Sequence, residues 1–317
     1  FIYSGGVFYV PALETFLITL SMYLLYLGSQ EERGSFLFLT LSGLTMGIAA
    51  LCRPVSFALI PFAALFIVLA YRGGAVRRCV CVTILLGVSA LSLVPWTVRN
   101  YAIYDRLLLV STGGGEFLWK GNNELARGDS FDRYLEPGHG EVWLDRLRAL
   151  APGERNALIQ KYQFISRDLE SLDEIERDRY LQKVALEFIA RRPDQFADLF
   201  AKKVRTLYTA FTQVRAENEK LITRNVRSAF SAIFYPILLL AFVGMLATLK
   251  EWRRYLALYL PIVSLTLAYG VLAAAARFRM PLEPFLIMFA SHAFILFWQA
   301  LRGIPILLML REVKQSR

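Results

Sequence analysis

PWTVRNYAIYDRLLLVSTGGGEFLWKGNN, residues 95–123, stands where an apolar run gives way to a long polar segment. Hydrophobic runs of membrane-spanning length lie on both sides of it, and the polar segment continues to about residue 225. This pattern reads as an all-α, polytopic transmembrane helix bundle with an extracytoplasmic helical insert. A site that does chemistry is expected on the membrane face this stretch occupies.

Composition agrees. The 317 residues are 56% hydrophobic and 14% aromatic, with a mean hydropathy of +0.43. Soluble domains are nearer 45–50% apolar. The net charge of +10 comes from Lys and Arg at segment ends, not from one stripe. That distribution argues against nucleic-acid binding and for positively charged cytoplasmic loops. Cys52, Cys79 and Cys81 lie in or beside apolar runs, and Cys79-Val80-Cys81 lacks a second ligand pair. His139 and His292 are far apart, so no metal-ligand cluster and no cofactor motif is visible. The chain starts Phe-Ile-Tyr with an apolar run under way by residue 7. It reads as a piece of a longer protein with its N-terminal part missing.

About seven spans are expected: Gly6–Leu27, Phe36–Leu51, Val55–Tyr71, Val80–Trp96, Phe230–Leu249, Tyr255–Ala276 and Pro284–Leu301. Cys52-Arg53-Pro54 alone separates the second from the third. Pro54 disfavours helix at Arg53, which implies a tight hairpin. The resulting organisation is 1–97 (four spans), 98–226 (extracytoplasmic loop and helices), 227–303 (three spans) and 304–317 (basic tail). Arg72, Arg77 and Arg78, then Lys250, Arg253 and Arg254, then Arg302, Arg311, Lys314 and Arg317 fall on one side when the spans are threaded in order. That side is expected to be cytoplasmic. Glu14, the Arg53 hairpin, the insert and the Arg277/Arg279 turn share the other.

Within the insert, Ser171-Leu172-Asp173-Glu174 reads as a capping box opening a helix to about Ala190. Leu181, Val184, Ala185, Phe188 and Ile189 make its apolar face. Pro193 ends it and starts another helix, with Phe196, Leu199, Phe200, Val204, Leu207, Tyr208 and Phe211 on one face and Lys202, Lys203 and Arg205 elsewhere. That basic amphipathic helix suits either a membrane surface or packing on a neighbour.

Ionisable groups inside or at the ends of spans are costly and often functional. Arg53 is expected to clamp a phosphate or pyrophosphate, whose oxygens match a guanidinium fork, or else to snorkel to the interface. Arg277 and Arg279 run against the positive-inside trend; headgroup contact is the plainer reading. Glu14 either pairs with one of these arginines or lines a polar cavity. Gly113-Gly114-Gly115 matches no nucleotide-phosphate motif and reads as a flexible turn. Trp119, Lys120, Asn122 and Asn123 group an aromatic platform, a cation and amides, which suits a sugar or a lipid phosphate; a solvated turn is the bland alternative.

Several motifs together resemble the family 39 membrane glycosyltransferases and their bacterial relatives, a group of the GT-C superfamily that includes protein O-mannosyltransferases and aminoarabinose transferases. These are Pro95-Trp96-Thr97-Val98-Arg99-Asn100-Tyr101, Val110-Ser111-Thr112, Leu118-Trp119-Lys120-Gly121-Asn122-Asn123, Ala49-Ala50-Leu51-Cys52-Arg53-Pro54, Arg277-Phe278-Arg279-Met280-Pro281-Leu282, and Tyr3-Ser4-Gly5 followed by Glu14. The resemblance implies a multi-pass enzyme of the cell membrane, the bacterial inner membrane in this case. It implies transfer of a sugar from a polyprenyl-phosphate donor at the extracytoplasmic face to a lipid, glycan or protein. Arg53, Lys120, Arg277 and Arg279 are then expected to bind the donor phosphate, Trp119, Asn122 and Asn123 to form a sugar or acceptor loop, and Glu14 to be a supporting acid. The catalytic acid is expected in a first external loop upstream of this chain. The expected partners are the lipid-linked sugar and membrane lipid, with no nucleic acid. A transporter or flippase of lipid-linked glycans is the alternative, and a non-catalytic membrane scaffold a third reading.

Overall fold

The structure, a computed structural model, describes residues 10–30, 34–71, 73–126, 128, 151–210 and 224–302. Tyr3-Ser4-Gly5, Arg72, His139, Phe211 and the basic tail 304–317 lie outside the described residues. Those described are helical with no strand. In chain order they form α1 (Val10–Gln30), α2 (Ser35–Cys52), a 3-10 turn (Pro54–Ala58) and α3 (Leu59–Ala70). Then come α4 (Ala75–Tyr104), α5 (Gly114–Gly121), α6 (Pro152–Glu170), α7 (Glu174–Arg191) and α8 (Pro193–Leu207). The chain closes with α9 (Arg224–Thr248), a 3-10 turn (Leu249–Glu251), α10 (Trp252–Val271), a 3-10 turn (Ala276–Leu282) and α11 (Glu283–Leu301).

Among the described residues, five helical stretches are long and apolar enough to cross a membrane: Val10–Gln30, Ser35–Cys52, Ala75–Tyr104, Phe230–Val271 and Ala276–Leu301. Pro54–Ala70 is a shorter apolar helix. The 42 residues of Phe230–Val271 would reach about 63 Å as one straight helix, twice the hydrocarbon thickness. The 3-10 turn at Leu249–Glu251 divides them. Large apolar side chains such as Phe16, Leu37, Leu91, Ile233, Leu239 and Phe297 stand exposed on these helices. That exterior is too apolar for a water-facing surface and supports a multi-pass membrane protein.

The chain forms two compact units. The first comprises Phe1–Ser92, Ala210–Leu265 and Arg279–Arg317. Its helices meet through small and hydroxylated residues, as membrane helices do when no hydrophobic force draws them together. Ser42 Oγ donates to the Ser21 carbonyl at 2.9 Å and Ser35 Oγ to the Gly28 carbonyl at 2.9 Å. Gly43 sits so near the Leu85 carbonyl that a Cβ there would clash, and Ser89 Oγ donates to the Gly43 carbonyl at 3.0 Å. On α9, Gly244 admits the backbone of Phe289 on α11.

The second unit comprises Leu93–Thr209 and Thr266–Phe278. Its core is Leu118, Trp119, Leu125, Ile165, Leu169, Leu181 and Ala185, drawn from α5, the loop after it, α6 and α7. Two local expectations are corrected here. Ser171 is not the cap of α7; it ends α6 and donates to the Asp168 carbonyl. Asp173 is the N-cap, accepting from the Glu176 amide at 2.8 Å while the Glu176 carboxylate returns to the Asp173 amide. The two sites offer rival boxes in one sequence, and Arg106, paired at 3.0 Å with both Asp173 and Glu176, favours the later one. The apolar face keeps its expected phase, with Leu181, Ala185 and Phe188 buried.

The second correction concerns Pro95. The helix of the fourth span does not stop near Trp96; α4 runs through Pro95 to Tyr104. The expected 97/98 boundary therefore falls inside a helix. Pro95 costs one backbone bond, which neighbouring groups can offset in a membrane helix. Asp105, with φ of 50°, then reverses the chain. The segment 106–110 runs back along the last turns of α4. The Trp96 indole donates to the Val110 carbonyl at 2.7 Å and Thr97 Oγ1 to the Leu109 carbonyl at 3.0 Å. Asn100 Nδ2 donates to the carbonyls of Leu108 and Val110 at 3.1 and 3.0 Å. The polar residues of the PWTVRN motif are thus the clasp that holds this return.

Candidate functional site

The first unit holds a buried acid. Glu14 is on the first turns of α1 and is 0% exposed. Opposite it, α2 breaks at Arg53, whose backbone is extended (φ −152°, ψ 115°), because Pro54 forbids helix there and begins the 3-10 turn. The break aims two side chains at the acid. Arg53 Nη1 lies 3.2 Å from Glu14 Oε2, and Ser56 Oγ donates to Glu14 Oε1 at 3.0 Å. The Arg53 side chain is 19% exposed, so its guanidinium reaches the edge of the bundle while its counter-ion stays inside. Of the pairings open to Glu14, the structure forms the one with Arg53. The arrangement orients a cation: a carboxylate that cannot move holds one edge of a planar fork.

The Arg277/Arg279 pair is split. Arg279 is buried in the first unit, with Nε 3.4 Å from Glu283 Oε1 and its guanidinium 3.8 Å from the centre of the Phe234 ring. Arg277 is exposed, in the second unit, and lies over the Phe278 ring. Arg53 and Arg279 thus each have an acid of their own, Glu14 and Glu283.

In the second unit Lys120 pairs with Glu116 one turn back on α5, 2.5 Å away. The platform expected of its neighbours does not form. Trp119, Asn122 and Asn123 are turned into the core. The reason is that helix ends leave carbonyls without donors. Asn123 Nδ2 donates to the Trp119 carbonyl at 2.8 Å. Asn122 Nδ2 donates to the carbonyls of Leu118 and Val271, each at 2.8 Å. Trp119 fills the core between α5 and α7. These residues tie the end of α5 to the end of α10. The glycines serve the same closeness: a Cβ at Gly121 would strike the Leu272 carbonyl, and one at Gly115 the Asp178 carbonyl of α7. Gly113, with φ of 98°, starts α5 in the left-handed region. The glycine run is a close-packing device and a helix start, not a bare flexible turn.

Lys203 does not lie apart from the apolar face of α8, where its charge suggested it. It is 0% exposed and shares the buried face of α8 with Leu199 and Leu207. Its Nζ donates to Asn122 Oδ1 at 2.8 Å, the Val271 carbonyl at 3.0 Å and the Leu272 carbonyl at 3.2 Å, and faces the Phe196 ring. Cations favour helix C-termini, where carbonyls converge. Burial pulls this amine down from 10.5 to about 7. The one signal in the sequence was that Lys203 falls four residues after Leu199 and four before Leu207. The packed alternative for α8 holds, with Leu199 against Phe188 and Ala126.

Among the described residues no group of His, Cys, Asp and Glu is arranged to hold a metal ion. The chain matches no family model, no curated protein and no solved structure.

Proposed function

We propose that this chain is part of a multi-pass membrane glycosyltransferase that takes a sugar from a polyprenyl-phosphate donor and passes it to a lipid, glycan or protein acceptor. In this reading the chain crosses the membrane seven times: α1, α2, the Pro54–Ala70 stretch, α4, α9, α10 and α11. The Lys- and Arg-rich loops face the cytoplasm of a bacterial cell, and the insert helices α5 to α8 lie outside. The observation that carries the proposal is the Glu14–Arg53–Ser56 cluster. A guanidinium fixed by a buried acid at the broken end of a span is preorganised for a leaving phosphate. Arg279, paired with Glu283, steadies the start of α11. The spacing of the PWTVRN, CRP and RFRMP motifs supports the same class.

The test is turnover of a radiolabelled polyprenyl-phosphate sugar by the protein in proteoliposomes with a membrane extract as acceptor. Arg53→Lys keeps the charge and loses the planar fork. It is expected to lower turnover by about a hundredfold, or roughly 3 kcal/mol of transition-state stabilisation. Arg53→Ala is a poorer probe, since it strands a buried carboxylate and destabilises the fold. Wild-type turnover by Arg53→Lys would refute the assignment. Movement of the intact lipid-linked sugar across the bilayer, without cleavage, would instead favour the transporter reading.

A further inference from the structure

The return segment after α4 is apolar on both of its sides. Leu107 and Leu109 are 67% and 55% exposed, while Leu108 is half-buried and Val110 is 8% exposed. An extended segment at a water-facing surface ordinarily alternates, with polar side chains outward. Here the outward side chains are leucines. The backbone carries a second, independent sign. The carbonyls of Leu108, Leu109 and Val110 each accept from a side chain of α4. At a wet surface water would satisfy them; in lipid only the protein can. A third sign is the ring of Trp96, Tyr101 and Tyr104, all exposed on the last turns of α4, with Arg99 over the Trp96 ring at 4.8 Å. Trp and Tyr gather where hydrocarbon meets headgroups.

Length sets the depth. The 30 residues of α4 span about 45 Å, the full bilayer with both headgroup zones. Tyr104 then reaches the headgroup edge, and Val110, bonded to Trp96, returns about 12 Å below it. We propose that residues 106–110 are a membrane-embedded, non-helical segment lying at the hydrocarbon boundary, with lipid acyl chains covering Leu107 and Leu109. Arg106 marks its upper limit, held at 3.0 Å by Asp173 and Glu176. Lipid is favoured over a protein partner because the segment is clasped through Trp96, Thr97 and Asn100 to the end of a candidate span whose other side, Val94, Val98 and Tyr101, is also exposed and apolar. The inference does not depend on the catalytic reading.

The test uses the full chain in phosphatidylcholine–phosphatidylglycerol liposomes, with Cys52, Cys79 and Cys81 replaced by Ala. A nitrobenzoxadiazole label is placed at Leu107→Cys or Leu109→Cys, with exposed Asp198→Cys on α8 as the control. Loss of iodide quenching relative to the control, together with quenching by lipids bearing a doxyl group near the headgroup, is expected at both positions and more strongly at 109. Iodide quenching equal to the control would overturn the proposal in favour of a water-facing loop. Protection from both quenchers would overturn it in favour of a protein-covered face, such as a second copy of the chain.

Discussion

Lys203 has the chemistry of a surface residue and the position of a core one. Its ammonium occupies the carbonyl end of α10 together with Asn122, so one lysine and one asparagine serve a helix terminus that would otherwise be buried with unmet acceptors. Desolvation works against that charge and holds the amine at about 7. A folded value below the unfolded one means the unfolded chain binds the proton more tightly. The group's contribution to stability is therefore complete above the unfolded value of about 10.4 and is lost as pH falls through about 7. Thermal unfolding of detergent-solubilised protein, wild type against Lys203→Met, checks this. The wild type is expected to gain on the variant between pH 7 and pH 10, by on the order of a few kcal/mol. A difference that stays flat across that window would show that the three oxygen acceptors hold the proton against burial.

At the scale of elements, α7 organises the second unit: its first two turns receive Arg106, Thr112 and the Glu116 amide, and its apolar face meets the core. The Asp173 carboxyl is held below its ordinary 3.8 chiefly by the Glu176 amide, with Arg106 adding to it. A lowered carboxyl stabilises above its unfolded value and ceases to as pH falls through the folded one. Asp173→Ala is expected to speed hydrogen exchange at the Ile175 and Glu176 amides and to remove this acid sensitivity, and Ser171→Ala to leave both unchanged. Equal effects from the two variants would return the cap to Ser171.

For the whole molecule, the seven-crossing topology makes a sided prediction. Cys79 is exposed and lies beside Arg77 and Arg78 at the start of α4; Asp198 is exposed on α8. In intact cells an impermeant maleimide is expected to label Asp198→Cys at once and Cys79 only after lysis. Labelling of both before lysis, or the reverse order, would overturn the topology. The two sites sample the short α3–α4 connection and the large polar segment, so they report whether Lys and Arg at span ends set the orientation of the chain.

Much of this was legible in the chain itself, because local physics speaks there. Apolar runs about 20 residues long mark the helices, Pro54 breaks α2 at Arg53, and Pro193 begins α8. Leu181, Ala185 and Phe188 of α7 fall on the expected face. Much of the rest depended on partners 39 or more positions away, which no local window contains. Glu14 finds Arg53 across 39 residues, and Asn122 finds Val271 across 149. Arg106 selects Asp173 over Ser171 as the start of α7. Pro95 signalled an end, yet α4 continues to Tyr104. Trp119, Asn122 and Asn123 have the composition of a binding loop, and the open ends of α5 and α10 took them inside. Sequence sets which groups are apolar, charged or unable to stay helical; tertiary structure decides where each unmet carbonyl and each buried charge finds its counterpart.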